Sequence, residues 1–212
     1  ASALIESLAK GNLKKSEFEA ALARITEGMK LVDTNLARAA KLISSFKSIA
    51  VDQTSEEERT FNLLEYLQDV IDSLSPQLRH EGVSVVVEGP DDVVLRSYPG
   101  AIAQILTNLV MNSLVHGFSG QDGGTISVTV ARSGDSLTFS YRDDGQGMSE
   151  ETVKRVFDPF FTTKRGQGGS GLGMHILFNL VTQILRGTVR CESAPGQGVE
   201  ITIRFPMIEA RS

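Results

Sequence analysis

The pattern that most restricts the architecture is an unbroken apolar seam: Phe18, Leu22, Ile25, Met29, Val32, Leu36, Ala39, Ile43, Phe46 and Ala50. Its steps alternate between four and three residues, the a/d repeat of a coiled coil or helical bundle. The seam is narrow, so a lone helix would leave an apolar edge in water. Ahead of it, residues 1–9 (ASALIESLA) read as the end of another helix, and Gly11-Asn12 supplies a turn. So short a partner is too small to cover the whole seam. An antiparallel hairpin that pairs with a second copy as a dimeric four-helix bundle is the expected arrangement. A hairpin packed on its own globular domain is the alternative.

The acidic stretch Asp52 to Glu58 (DQTSEEE) reads as a linker, and after it the periodicity changes. Helices are expected over 63–78, 100–116 (started by Pro99), 149–156 (capped by Ser149) and 173–185. Strands are expected over 83–88, 93–96, 125–132, 137–142, 188–192 and 200–205. Residues 133–136 (SGDS) join two of these strands as a hairpin. Consecutive strands with interspersed helices imply an α+β fold, helices lying on one face of a mostly antiparallel sheet. The chain thus divides into a helical region over 1–55 and a second domain over 56–212.

Composition removes several classes of function. A 212-residue chain with 41% hydrophobic and 22% charged residues is a globular sequence, not a disordered one. No apolar run approaches the roughly 18 residues that a membrane span needs, and no signal segment opens the chain. The single cysteine, Cys191, leaves no disulfide framework or thiolate cluster and suits a reducing cytoplasm. A net charge of −5 argues against nonspecific nucleic-acid binding. Residues 1–60 are charge-neutral, so the whole deficit falls on residues 61–212. Any anion bound there must be held by local devices. The chain begins with Ala, as expected of a processed protein or a part of something longer.

Three segments point to chemistry. The helix over 100–116 carries no formal charge, yet Gln104, Asn108, Asn112 and His116 recur every four residues as one polar stripe. Carboxamide oxygens suit a hard cation such as Mg²⁺ that also holds phosphates, because they add no negative charge beside a nucleotide. Next, Asp143-Asp144-Gly145-Gln146-Gly147 ends a strand. A carboxylate there can accept from an exocyclic amine such as that of adenine, and the glycines let backbone approach a base. The third segment is Gly166-Gln167-Gly168-Gly169-Ser170-Gly171-Leu172-Gly173, which runs into an apolar helix. Glycine-rich backbone at a helix start is an anion site, and Lys164 and Arg165 add local positive charge. A dinucleotide-binding reading of this loop fails because residues 157–165 (FDPFFTTKR) are not a strand, and the P-loop string is absent. The aromatic cluster Phe157, Phe160 and Phe161 reads as the anchor of a closing lid.

Taken in order, Asn108-x₃-Asn112, Asp143-x-Gly145-x-Gly147, Phe157-Asp158-Pro159-Phe160-Phe161 and Gly169-x-Gly171-x-Gly173 resemble the N box, first glycine box, F box and second glycine box of sensor histidine kinases. These belong to the ATPase superfamily shared with DNA gyrase B, Hsp90 and MutL. The resemblance covers roughly residues 61–205 and implies the Bergerat-type two-layer α/β sandwich. Residues 1–50 look like the dimerisation and phosphotransfer bundle of the same kinases.

Carried onto this sequence, the resemblance implies ATP and Mg²⁺ as cofactors. Asn112 is then the metal ligand, and Asn108 assists the metal or the attacking group. Asp143 reads adenine, with Gly145 and Gly147 beside the base, and His116 stands where relatives pack a tyrosine on it. Thr163 and Lys164 lie toward the terminal phosphates, with Lys164 and Asn108 as the catalytic pair. Gly169, Gly171, Leu172 and Gly173 cradle the triphosphate. Val199 departs from the threonine usual after the last glycine turn.

The family's phosphoacceptor histidine lies on the first bundle helix, but the three histidines here are His80, His116 and His175. The expectation is a protein-histidine kinase whose acceptor lies upstream of Ala1 and which does not phosphorylate itself as this chain. The phosphoryl group would pass on to an aspartate of a response-regulator receiver domain. Its place would be the cytoplasm, alone or as the cytoplasmic part of a membrane-anchored sensor. A degenerate, noncatalytic ATP-binding dimeric interaction module and a serine-directed kinase of the same superfamily stay open as alternatives.

Overall fold

The computed structural model describes residues 14–16, 18–30, 32–33, 58–164 and 170–207. The chain divides into two units, Ala1–Lys47 and Ser48–Ser212. In the first, residues 18–30 form a helix, α1. Phe18, Leu22, Ile25 and Met29 of the seam are exposed on it, as is Val32. The helix expected over 1–9, the Gly11-Asn12 turn, the seam from Leu36 to Ala50 and residues 52–57 of the acidic stretch lie outside the described residues.

The second unit runs β1 (Arg59–Asn62), α2 (Leu63–His80), β2 (Val83–Glu88), β3 (Val94–Ser97) and α3 (Pro99–Asn112). It continues with β4 (Gly124–Ser133), β5 (Ser136–Asp143), α4 (Glu150–Arg155), α5 (Gly173–Asn179), β6 (Thr188–Ser193) and β7 (Val199–Pro206). Five strands form one sheet in the order β2-β4-β5-β7-β6. Only β2 and β4 run parallel; the other neighbours are antiparallel. The expected mixed, mostly antiparallel sheet is present.

Strict alternation makes one face of this sheet apolar. Ile126, Val128 and Val130 of β4, Leu137, Phe139 and Tyr141 of β5, and Ile201, Ile203 and Phe205 of β7 are buried. Thr129, Arg142, Glu200 and Arg204 between them are exposed. The buried face is covered by α2 through Leu67, Ile71 and Leu74, by α3 through Ile102, Leu106 and Leu109, and by the α5 segment through Leu177 and Val181. Helix α2 starts where the Asn62 side chain accepts from Glu65 N at 3.1 Å, and it runs on through Pro76. An interior proline costs about 3 kcal/mol. Six buried apolar side chains on α2, each contributing about 1.5–3 kcal/mol, outweigh it.

Two features differ from the sequence expectation. Residues 59–62, unassigned above, form β1, which pairs antiparallel with β3 in a separate two-stranded ribbon. The helix expected to run evenly to His116 stops at Asn112 and continues as a wider π turn, Ser113–Gly117, closed by Phe118 N donating to Ser113 O at 2.8 Å. The α5 segment ends the same way, in a π turn over Leu180–Ile184.

Candidate functional site

The alternation that buries Leu137, Phe139 and Tyr141 also carries Asp143, the last residue of β5, to the inner face. The residue is only 3% exposed, so its carboxylate needs donors. Oδ1 accepts from the backbone N–H groups of Gly145 and Val199, each at 3.1 Å. Oδ2 accepts from Ser113 Oγ at 2.5 Å. Ser113 Oγ in turn lies 2.7 Å from the Tyr141 hydroxyl. Burial pushes the Tyr141 phenol far above its ordinary range, so it stays protonated.

The amide stripe lies on α3 as the spacing predicts, with Gln104, Asn108 and Asn112 half-buried and His116 in the π turn. Gln104 Nε2 donates to Asn108 Oδ1 at 3.1 Å. The Nδ2 groups of Asn108 and Asn112 are buried and have no hydrogen-bond partner among the described residues. Gly173, at the start of α5, faces both. A methyl group there would stand 3.7 Å from Asn112 Oδ1 and 3.8 Å from Asn108 Oδ1.

The π turn opens backbone carbonyls that an evenly wound helix would direct along its own axis. Val115 O accepts from Lys164 Nζ at 2.6 Å, and Gly117 O accepts from Gln146 N at 2.9 Å. His116 O accepts from Gln146 Nε2. Thr163 Oγ1 lies 3.5 Å from His116 Nδ1. Burial, and then the Lys164 charge, hold the His116 imidazole below its ordinary pKa, so the ring favours its neutral form.

Gly147 has φ +68° and packs so closely that a Cβ would lie 2.0 Å from Ala194 O. Gly171, at φ +69°, would meet the Phe160 backbone at 2.6 Å. Neither position tolerates a side chain. Leu172 is buried immediately before α5, and its N–H donates to Ser170 Oγ at 3.3 Å. Gly169 lies outside the described residues.

The aromatic cluster is anchored to α5: Phe157 and Phe178 have ring centroids 5.6 Å apart, and His175 Nδ1 donates to Phe157 O at 3.1 Å. Arg155 covers the Phe161 ring at 4.5 Å. Burial, then the charges of Asp143 and Glu192, push the Cys191 thiol up to about 12, which leaves no thiolate for chemistry.

Sequence reasoning did not single out Ser113, Tyr141 or Gln146 as contributors to the site. A signal existed for Tyr141, which precedes Asp143 by two residues and so shares its strand face. None existed for Ser113, whose contact with Asp143 spans thirty positions.

A sequence profile for the Histidine kinase-, DNA gyrase B-, and HSP90-like ATPase family matches residues 98–209, more than half of the chain. The chain belongs to this family. Within it, the chain is 28% identical over 205 residues to the sensor histidine kinase RcsC of Escherichia coli (strain K12), covering 94% of this chain and 21% of RcsC. It is 26% identical over 177 residues to sporulation kinase A of Bacillus subtilis (strain 168), covering 83% of this chain and 28% of that protein. The chain therefore spans less than a third of the length of these two relatives. The catalytic domain of histidine kinase ThkA superimposes with a TM-score of 0.63 at 27% identity, covering 72% of this chain and 97% of that one. The second unit is thus a histidine-kinase-type ATP-binding domain, and its two-layer sandwich is the family's fold.

Proposed function

We propose that this domain binds ATP with Mg²⁺ and passes the γ-phosphoryl group to a histidine on a dimerisation bundle. An aspartate of a response-regulator receiver domain would then take it. The observation that carries this reading is the pair of buried carboxamide N–H groups, Asn108 Nδ2 and Asn112 Nδ2, which have no partner among the described residues and lie beside Gly173. A buried amide without a partner costs about 1–3 kcal/mol, so a ligand from outside the protein best completes this end of the site. Turning the terminal torsion of Asn112 exchanges its amide oxygen and nitrogen, so it can present oxygen to a hard cation, while Asn108, whose oxygen accepts from Gln104, presents N–H to phosphate. That donor set fits Mg²⁺.

In this reading Asn112 holds the metal and Asn108 assists it or the attacking group. When bound, the metal neutralises charge on the transferring phosphoryl group. Asp143 accepts the adenine amine, Gly145 and Gly147 let backbone lie against the base, and the neutral His116 ring stacks on it. Thr163 and Lys164 serve the terminal phosphates. An ammonium has three donors, so Lys164 can keep Val115 O and still reach an oxyanion. The backbone of Gly169, Gly171, Leu172 and Gly173 lines the triphosphate.

The histidines of this chain fit other roles than acceptor. His80 is exposed at the end of α2 beside Glu81, and both His175 ring nitrogens are engaged. These contacts support an acceptor outside these 212 residues. The exposed seam of α1 supports a homodimer formed through a helical region over 1–55, ahead of an ATP-binding domain over 56–212. Among the described residues no helix is long and apolar enough to cross a membrane. We place the domain in the cytoplasm, where ATP is available.

The test is transfer of label from γ-labelled ATP, with Mg²⁺, to a longer version of the chain that carries an acceptor helix. An acid-labile phosphoprotein is expected. Acid-stable product would indicate a serine-directed kinase, and no transfer under saturating ATP would indicate a noncatalytic module.

A further inference from the structure

The polar chain at Asp143 does not end at Ser113. An ionised carboxylate only accepts, so the 2.5 Å contact with Asp143 Oδ2 consumes the Ser113 hydroxyl proton. Ser113 Oγ then offers only lone pairs to Tyr141, and the phenol must donate across their 2.7 Å contact. The direction of both bonds is fixed: Tyr141 to Ser113, and Ser113 to Asp143. Tyr141 is 1% exposed, and burial keeps its phenol protonated as a donor. Oδ1 is already committed to two backbone N–H groups. Oδ2 keeps one accepting direction, and Gly117 stands beside it with no side chain; a Cβ there would come within 3.5 Å.

We infer that Tyr141 and Ser113 are positioning residues for nucleobase selection, a two-hydroxyl relay that pins Asp143 Oδ2 as an acceptor for an exocyclic amine. This rests on the reading of Asp143 as the adenine-facing group. Selection follows from acceptor geometry. A base with an amine opposite Oδ2 gains a hydrogen bond to a charged acceptor, while one with a carbonyl there sets two acceptors against each other. Pinning matters because a carboxylate free to turn about its last torsion could present a different edge to the base. Without the Tyr141 hydroxyl, Ser113 Oγ loses the partner on its accepting side and can rotate away. Tyr141 and Asp143 share one strand face, and the π turn brings Ser113 to both.

The test compares binding of ATP with that of purine riboside 5′-triphosphate, which lacks the exocyclic amine, by calorimetry on the whole chain. The ratio of the two affinities reads the contact at Oδ2 alone. Tyr141→Phe and Ser113→Ala should each shrink that ratio by about three- to ten-fold, while affinity for the amine-free nucleotide changes by less than about two-fold. Equal weakening of both nucleotides would show a purely structural role and overturn the relay. The double variant Ser113→Ala/Tyr141→Phe leaves no orphaned hydroxyl, and so it guards against misfolding of either single variant. It should match Ser113→Ala alone, and a further additive loss would mean that the hydroxyls do not act as one unit. Asp143→Asn separates the relay from the adenine contact. If it collapses the ratio while the hydroxyl variants leave it intact, the relay is wrong and the adenine reading stands. If the ratio survives in Asp143→Asn, the adenine reading is wrong and the relay falls with it.

Discussion

The Asp143 end of the site and the Asn108–Asn112 end differ in how far the protein completes them by itself. Asp143 receives donors from three separate places: the π turn after α3, the loop after β5 and the first residue of β7. Asn108 and Asn112 come from one helix face, and each keeps a buried N–H group without a partner among the described residues. The first end is organised before any ligand arrives, so it spends no binding energy on ordering. The second carries an unmet hydrogen-bonding demand that a ligand can satisfy. If the proposed roles hold, labour is divided: selection of the base would be built into the folded core, and affinity for the polyphosphate and metal would be held in reserve on a helix face.

The sharpest way to break this contrast is Asn112→Ala. It should abolish the gain in nucleotide affinity that Mg²⁺ confers, measured by calorimetry with and without the ion. Its thermal midpoint should hold or rise, since an orphaned buried amide is removed. Unchanged Mg²⁺ dependence would remove the metal from Asn112. Asp143→Asn should behave in the opposite way. It replaces one carboxylate oxygen by an amide N–H, which must face either Ser113 or the Gly145 and Val199 N–H groups, so urea unfolding should show a loss of about 2–3 kcal/mol. Discrimination of ATP against GTP should fall with it. A variant as stable as the parent would mean that the Asp143 end is not preorganised.

Gly147→Ala tests the loop that follows Asp143. The left-handed backbone and the contact with Ala194 O should cost about 1–3 kcal/mol in the same unfolding experiment. A neutral result would show that this loop moves freely.

The smallest effect is a pH dependence from His116, in the π turn after α3. Its folded-state pKa is lowered, first by burial and then by Lys164. The unfolded chain takes up a proton near the ordinary value of about 6.5, while the folded chain resists until lower pH. More protons are bound in the unfolded state within that window. Its contribution to stability is therefore complete above about pH 6.5 and declines as pH falls through it. Urea midpoints between about pH 5 and 7 should flatten in His116→Gln. Lys164→Met should raise the His116 pKa in an NMR titration, and no movement would show that Lys164 is too far away or too well solvated to act on the ring.

Much of the catalytic unit is legible in sequence because its periodicities are local. The 83–88 strand, the hairpin around Gly134-Asp135 and the Ser149-capped helix appear where alternation, turn chemistry and capping place them. The amide stripe of α3 could be read from four-residue spacing alone, because helix geometry puts such residues on one face. β1 was not legible: RTFN is a short segment whose pairing with β3 depends on residues more than thirty positions away. The π turn was equally hidden, since Ser113 to Gly117 has no composition that distinguishes it from the helix before it.

What the sequence determined by itself is the order of the nucleotide-binding boxes and the single helix face on which Gln104, Asn108 and Asn112 lie. Backbone geometry converts spacing into facing without help from the rest of the chain. What only the tertiary structure decided is which of those groups are satisfied. Ser113 meets Asp143 and Tyr141 because a sheet strand and a widened helix turn are packed together, and Lys164 finds Val115 O because that turn exposes it. The Nδ2 groups of Asn108 and Asn112, without partners among the described residues, are likewise a property of the packed interior, since a polar group is orphaned only when the fold removes its water.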